Sequence, residues 1–280
     1  MPLLNLKEAY QGAKNDGYAI GAFNVYNLET VQVVVAAAKK MNSPVIIQTT
    51  PSAIDYAGLP ELFGIIKSEL DSQDVFAAIH LDHARDFGIV KECIDIGYNS
   101  VMIDASKLPY ESNIALTKKV VSYAKEFDVD VEAELGVISR EEGGELSNKS
   151  SYTHPDLASD FINRTGITSL AVSVGNEHGA PRGEKLDISL LSKIAHASSV
   201  PIVIHGASGL SQKDIKAAIA AGAVKFNIDT KIRKAFLSSA SKNIDISDDP
   251  RDVFNEVKAD IEKLVCDYIT LFGSRNKAKV

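Results

Sequence analysis

Three histidines at the edges of hydrophobic runs are the residues of this chain best suited to chemistry: His83 in IHLDHA (79–84), His178 in VSVGNEHG (172–179) and His205 in IVIHGASG (202–209). Three imidazoles can hold a divalent ion and leave one coordination position open to a substrate, which is how catalytic zinc centres are built. A lone histidine at a strand end is more often a hydrogen-bonded structural residue. Histidines at the ends of different runs, each beside glycine or a carboxylate, favour a metal site instead. His80 lies two positions before Asp82 and shares its strand face, and it reads as a residue that supports the site from behind or as a structural one; His154 and His196 read as solvent-facing.

Two of the same segments also suit an anion. HGAPRG (178–183) and HGASG (205–209) carry Gly179, Gly206 and Ser208, and glycine-rich turns present backbone N–H groups to a phosphate. NIDT (227–230) adds Asn227, Asp229 and Thr230.

These residues need a scaffold that brings distant segments to one rim. Eight β-rich runs recur along the chain, at 19–25, 44–49, 75–81, 100–104, 129–135, 169–174, 201–205 and 224–229, separated by segments of helical period such as 29–41 and 211–223. Ser211 suits an N-cap and Gly222 a helix stop. Such alternation predicts an α/β fold, one (β/α)8 barrel domain over residues 1–280, with an additional C-terminal helix at 250–272 packing on the barrel or on a partner. Barrel active sites lie at the C-terminal ends of the strands. The polar residues track that rim: Asp82 and His83 after the third run, Asp104 ending the fourth, Glu132 and Glu134 in the fifth, His178 after the sixth, His205 ending the seventh, Asn227 and Asp229 ending the eighth. The polar stretch 139–156 is too long for an ordinary connection and reads as a mobile active-site loop.

Composition narrows the classes. A formal net charge of −7 argues against broad binding to nucleic acid or anionic membranes, so an anionic substrate must be held by local devices. No apolar run reaches membrane-spanning length and the N-terminus lacks a signal-peptide pattern, from which a soluble, cytoplasmic protein is expected. Cys93 and Cys266 form no CxxC and are expected as thiols in a reducing compartment.

FNVYN (23–27), HLDHA (80–84), VMIDAS (101–106), VEAELG (131–136), GNEHG (175–179), HGASG (205–209), FNIDT (226–230) and LFGSRNKA (271–278), in unbroken order, resemble the class II, metal-dependent fructose-bisphosphate aldolases, a family that includes tagatose-bisphosphate aldolases and relatives acting on other ketose phosphates. The resemblance implies reversible cleavage of a ketose 1-phosphate to dihydroxyacetone phosphate and an aldehyde. It implies one Zn2+ on His83, His178 and His205, with Asp104 and Glu134 as additional metal-associated carboxylates, or as anchors for the ligands' hydrogen bonds. A monovalent cation, Na+ or K+, near the phosphate is a further family feature. Asp82 matches the acid/base residue at the C4 hydroxyl, its other reading being an orienter of His83. Glu142 matches a glutamate on the mobile loop that exchanges a proton with the dihydroxyacetone phosphate carbon. Asn24, Gly179, Arg182, Gly206, Ser208, Asn227, Asp229 and Thr230 fall at substrate-binding positions. A homodimer or homotetramer is implied, with Arg251 reaching a neighbouring active site.

The departures concern the aldehyde half. Ser139 and Arg140 replace a usual Gly-Gly in the loop hinge, Arg182 replaces a usual lysine, and Pro51 stands where many relatives carry an acid. Arg251, Thr50 and Arg140 are therefore expected to hold an anionic terminus: a phosphate as in fructose or tagatose 1,6-bisphosphate, or a sulfonate or carboxylate as in 6-deoxy-6-sulfofructose 1-phosphate. A water-activating zinc hydrolase fits the phosphate cradle poorly, and a catalytically inactive stabilising subunit fits the intact His83, His178, His205 and Asp82 poorly.

Overall fold

The computed structural model describes residues 3–138, 152–177, 179 and 185–278, and the backbone of 140–142 and 145–147. The chain enters through α1 (Leu6–Asp16) and then alternates β1 (Ile20–Asn24), α2 (Leu28–Met41), β2 (Val45–Thr49), α3 (Pro51–Ala57), α4 (Leu59–Gln73), β3 (Ala77–Ala84), α5 (Phe87–Ile96), β4 (Ser100–Ile103), α6 (Tyr110–Lys125) and β5 (Asp130–Leu135). A short antiparallel hairpin, β6 (Arg140–Glu142) and β7 (Glu145–Ser147), intervenes. Then come α7 (Pro155–Thr165), β8 (Ser169–Val172), α8 (Ile188–Ala197), β9 (Ile202–Ile204), α9 (Gln212–Ala220), β10 (Ala223–Ile228), α10 (Thr230–Asn243) and α11 (Pro250–Phe272). The eight strands other than the hairpin close into a parallel barrel in the order β1-β10-β9-β8-β5-β4-β3-β2, so the predicted (β/α)8 architecture is the observed one.

Local chemistry sets the element ends. Asn27 and Thr30 form a reciprocal capping box at the start of α2, and Asp86 accepts from Gly88 N–H and Ile89 N–H at the start of α5. Ser211 caps α9 as expected, and Gly222, at φ 109°, lies just past its end. The predicted C-terminal helix is α11. Val253, Val257, Ile261, Val265 and Ile269 recur every fourth residue, form one buried stripe, and seat it against α2 and α10.

Alternation along the strands divides the barrel interior into layers. At the N-terminal end Ile20, Ala22, Ile46 and Ala78 meet Leu6, Tyr10 and Ala13 of α1, which plug the barrel. Met102 and Ala171, each two residues beyond Ser100 and Ser169 on their strands, form a small apolar patch with Val203. The same interior also carries polar residues, His80, Glu132 and Lys225 preceding Asp82, Glu134 and Asn227 by two positions on β3, β5 and β10, with Ser100, Ser169, Asn24 and Gln48 buried among them. Among the described residues no helix is long and apolar enough to cross a membrane.

Candidate active site

His83 owes its position to a bulge. The third run was expected to end at Leu81 with Asp82 and His83 beyond it; β3 instead continues to Ala84, and its pairing with β4 shifts register between Leu81 and Ala84. The extra residue lets His83 adopt φ 55°, a left-handed conformation costing roughly 1–3 kcal/mol in a non-glycine residue. Sequence alternation alone cannot disclose such a kink. The bulge leaves Asp82 facing the interior and brings His83 Nδ1 to 3.3 Å from Asp104 Oδ2. Asp104 is fixed in turn by the N–H and hydroxyl of Ser106, and those contacts with the His83 imidazole overcome burial to hold its carboxyl well below the usual range.

His205, fully buried just past β9, faces β5. Its Nε2 lies 2.9 Å from Glu132 Oε1 and its Nδ1 3.4 Å from Glu134 Oε2, while its ring meets that of His83 edge-on at 4.6 Å. Burial disfavours the charged imidazole, but the two carboxylates outweigh it and push His205 up to about 10. His80 is buried inside the barrel: its Nδ1 meets Ser100 Oγ at 2.7 Å, and burial together with Lys225 pushes its pKa down to about 3. His154 and His196 are exposed, Cys93 is buried, and Cys266 is half-buried.

Asp82 sits among amides. Asn24 Nδ2 and Gln48 Nε2 each donate to its Oδ2 at 3.2 Å, and Asn227 Nδ2 donates to Oδ1 at 3.0 Å. Burial would raise its pKa, but the surrounding imidazoles and Lys225 keep it below the ordinary carboxylate value, so it stands ionised and able to accept a proton. Gln48, a member of this amide ring, was not singled out from the sequence. Its parity with neighbouring inward residues was the available signal.

The donor set fits a divalent metal ion. One ligand atom from each of Asp82, His83 and His205 lies within 4.8 Å of the others, as does one from each of His83, Asp104 and Glu134. Glu134 Oε2 is buried with His205 Nδ1 3.4 Å away, a contact too loose to satisfy it fully, so it can still serve a cation. Mixed imidazole and carboxylate ligands suit a borderline ion such as zinc. The third predicted imidazole, His178, lies outside the described residues, as does Arg182; for Arg140 and Glu142 only the backbone, in the β6–β7 hairpin, is described.

Above these groups opens a cavity of about 1320 Å³. Asn24, Thr50, Asp82, His83, Gly179, Gly206, Ser208, Asn227, Asp229 and Thr230 all line it, so one space gathers residues spread over the whole chain. Gly206 is required there: at φ 69°, a Cβ on it would stand 2.0 Å from Glu177 O, so the loops after β8 and β9 touch backbone to backbone. Ser208 Oγ accepts from Lys231 N–H at the start of α10, whose first residue is Thr230. Thr50 caps α3 through Ala53 N–H. Asp229 is already engaged by Arg233. Arg233 itself, Arg85, Tyr26 and Phe254 also line the cavity and were not foreseen. Arg251 does not line it; its side chain is 86% exposed and pairs with Asp249.

The comparisons with known proteins agree with this geometry. Residues 4–277 match the family model described as fructose-bisphosphate aldolase class-II. The chain belongs to that family. Among solved structures, this aldolase is similar to the YdjI aldolase from Escherichia coli K12, with 34% identity and a TM-score of 0.90 over 99% of this chain and 100% of that one. It is also similar to a putative fructose-1,6-biphosphate aldolase from Coccidioides immitis (30% identity, TM-score 0.89, 97% and 96% covered). A fructose-bisphosphate aldolase from Campylobacter jejuni shares 26% identity, with a TM-score of 0.81 over 97% and 95% of the two chains. The enzyme is thus a carbon–carbon lyase of a metal-dependent family acting on sugar phosphates.

Proposed function

We propose that this aldolase uses zinc to cleave, reversibly, a ketose 1-phosphate into dihydroxyacetone phosphate and an aldehyde with an anionic terminus. The observation that carries the reading is the convergence of Asp82, His83 and His205 with Asp104 and Glu134 at the base of one cavity. Zinc held by His83, His178 and His205, with Asp104 and Glu134 as alternate ligands, supplies Lewis acidity toward negative charge developing on the ketose oxygens. Asp82 accepts the C4 hydroxyl proton as the C3–C4 bond breaks and the aldehyde carbonyl forms; the electron pair of that bond stays with the dihydroxyacetone phosphate half. Asn24, Gln48 and Asn227 hold the Asp82 carboxylate in place for that transfer. Glu142 on the hairpin returns a proton to the dihydroxyacetone phosphate carbon.

The phosphate is assigned to the backbone around Gly179 and Gly206, with Ser208, Asn227, Asp229, Thr230 and Arg182, and a monovalent cation, Na+ or K+, is assigned beside it. The anionic terminus is assigned to Thr50, Arg140 and Arg251. Because Arg251 lies outside its own cavity and is exposed, it is assigned to the site of a neighbouring subunit in a homodimer or homotetramer. The terminus is a phosphate in fructose or tagatose 1,6-bisphosphate, and a sulfonate or carboxylate in the second reading.

A panel of ketose 1-phosphates, with metal content measured on the same preparation, tests this. Chelation should abolish aldehyde release and zinc restore it, while borohydride with substrate should trap no lysine adduct. Arg251→Ala should lower kcat/KM by the equivalent of about 1.5–3 kcal/mol for ketoses with an anionic terminus and leave neutral ones little changed. Full activity of metal-free protein would overturn the metal-dependent reading. Equal losses on both substrate types would remove Arg251 from the aldehyde end.

A further inference from the structure

A fully buried lysine lies beneath the candidate metal ligands, and the reaction as proposed does not use it. Lys225 on β10 is 0% exposed, and its Nζ lies 2.8 Å from Glu132 Oε2 and 3.3 Å from His80 Nε2. Glu132 uses its other oxygen on His205 Nε2 at 2.9 Å, and Ser169 Oγ donates to Oε2 at 3.4 Å. His80 completes the chain through Ser100. Five strands, β3, β4, β5, β8 and β10, together with His205 after β9, thus meet in one continuous polar array inside the barrel.

Two opposite charges in such a place stabilise a fold little, since well-packed apolar residues of the same volume do as well or better. The array has another effect. With Nε2 committed to Glu132, His205 presents Nδ1 toward Glu134, whose carboxylate groups with donor atoms of His83 and Asp104 within 4.8 Å of one another. A carboxylate accepting from the far nitrogen of a metal-binding imidazole fixes its tautomer and raises its basicity. Lys225 Nζ, 2.8 Å from Glu132 Oε2, holds that carboxylate in the orientation that places Oε1 on His205 Nε2.

We propose that Lys225 is a positioning residue: through Glu132 it sets His205 with Nε2 as donor and Nδ1 as the metal-binding atom, and so tunes zinc affinity from below the site. His80 Nε2, 3.3 Å from Nζ, gives Lys225 a second partner and helps to hold its side chain at Glu132. This inference rests on the reading of His205 as a metal ligand.

The full-length protein tests it by zinc affinity in competition with a chromophoric chelator, thermal melting, and NMR of the His205 Nε2–H in the zinc-loaded state. Lys225→Met should weaken zinc binding by at least about tenfold and move the Nε2–H resonance upfield. Because Lys225→Met strands a buried carboxylate and can destabilise the fold, the double variant Lys225→Met with Glu132→Gln is made alongside. It carries neither charge, so its Tm should return toward wild type while zinc affinity stays about tenfold or more weakened and the Nε2–H signal stays upfield. If zinc affinity recovers together with Tm in the double variant, the pair serves only the fold and the proposal fails. If the wild-type protein binds no zinc, the reading of His205 as a ligand fails first.

Discussion

The two ends of the barrel are finished in opposite ways. At the N-terminal end, Leu6, Tyr10 and Ala13 of α1 pack on Ile20, Ala22, Ile46 and Ala78, and the Asn99 side chain ties the entering chain down by donating to Leu4 O and accepting from Ile79 N–H. At the C-terminal end, Asp82, His83 and His205 crowd within a few ångströms, Glu134 Oε2 meets His205 Nδ1 at 3.4 Å, His83 is held at positive φ, and Asn227 Oδ1 is buried without a hydrogen-bond partner among the described residues. Buried polar groups without partners weaken a fold, and apolar packing strengthens it. One scaffold therefore packs apolar side chains against one end and concentrates buried polar and charged groups at the other, where substrate and metal would meet them.

Substitutions at the two ends should separate stability from turnover. Asp82→Asn keeps the shape and removes the base, so cleavage should slow by about 10²–10⁴-fold while zinc content and Tm change little; a collapse of Tm would make Asp82 a structural residue. Leu6→Ala should do the reverse. It leaves a cavity under the plug and should cost about 2–5 kcal/mol in denaturant unfolding, with kcat/KM per folded molecule unchanged; a matching loss of turnover would mean that the ends are coupled.

The smallest effect is expected at Asp130, a carboxylate buried near the plug end. Burial raises its pKa and Lys7, 3.7 Å away, only partly offsets this. The folded state thus holds the proton more tightly than the unfolded one. The contribution of this group is present below the unfolded pKa and is lost as pH rises through the folded value. Asp130→Asn should therefore be neutral in strong acid and stabilising by on the order of 1 kcal/mol or less at neutral pH, as read by melting curves across that range. Destabilisation at neutral pH would show that the Lys7 pair outweighs burial.

Much of this was legible in the sequence because strand runs and rim residues coincide. The barrel strands fall where β-rich runs meet turn residues, and Asn24, Thr50, Asp82, His83, Gly179, Gly206, Ser208, Asn227, Asp229 and Thr230 do line one cavity. What was not legible has a physical reason in each case. The β3 bulge is a local backbone choice that leaves the residue pattern unchanged. Lys225 sits in VKFNID, which reads as an ordinary strand; only its shared parity with Asn227, beside Glu132 with Glu134 and His80 with Asp82, hints that it points inward. Arg85 and Arg233 sit in a connecting segment and a helix, where arginine is unremarkable until the fold turns it toward the cavity.

The contact between Gly206 and Glu177 O bears on how this enzyme can be altered. The peptide that touches Gly206 belongs to the residue immediately before His178, so any side chain at 206 pushes on the backbone that leads into a candidate metal ligand. The turn assigned to phosphate and the turn carrying that histidine are therefore mechanically one part. A chimera that imports either turn from a relative must import both.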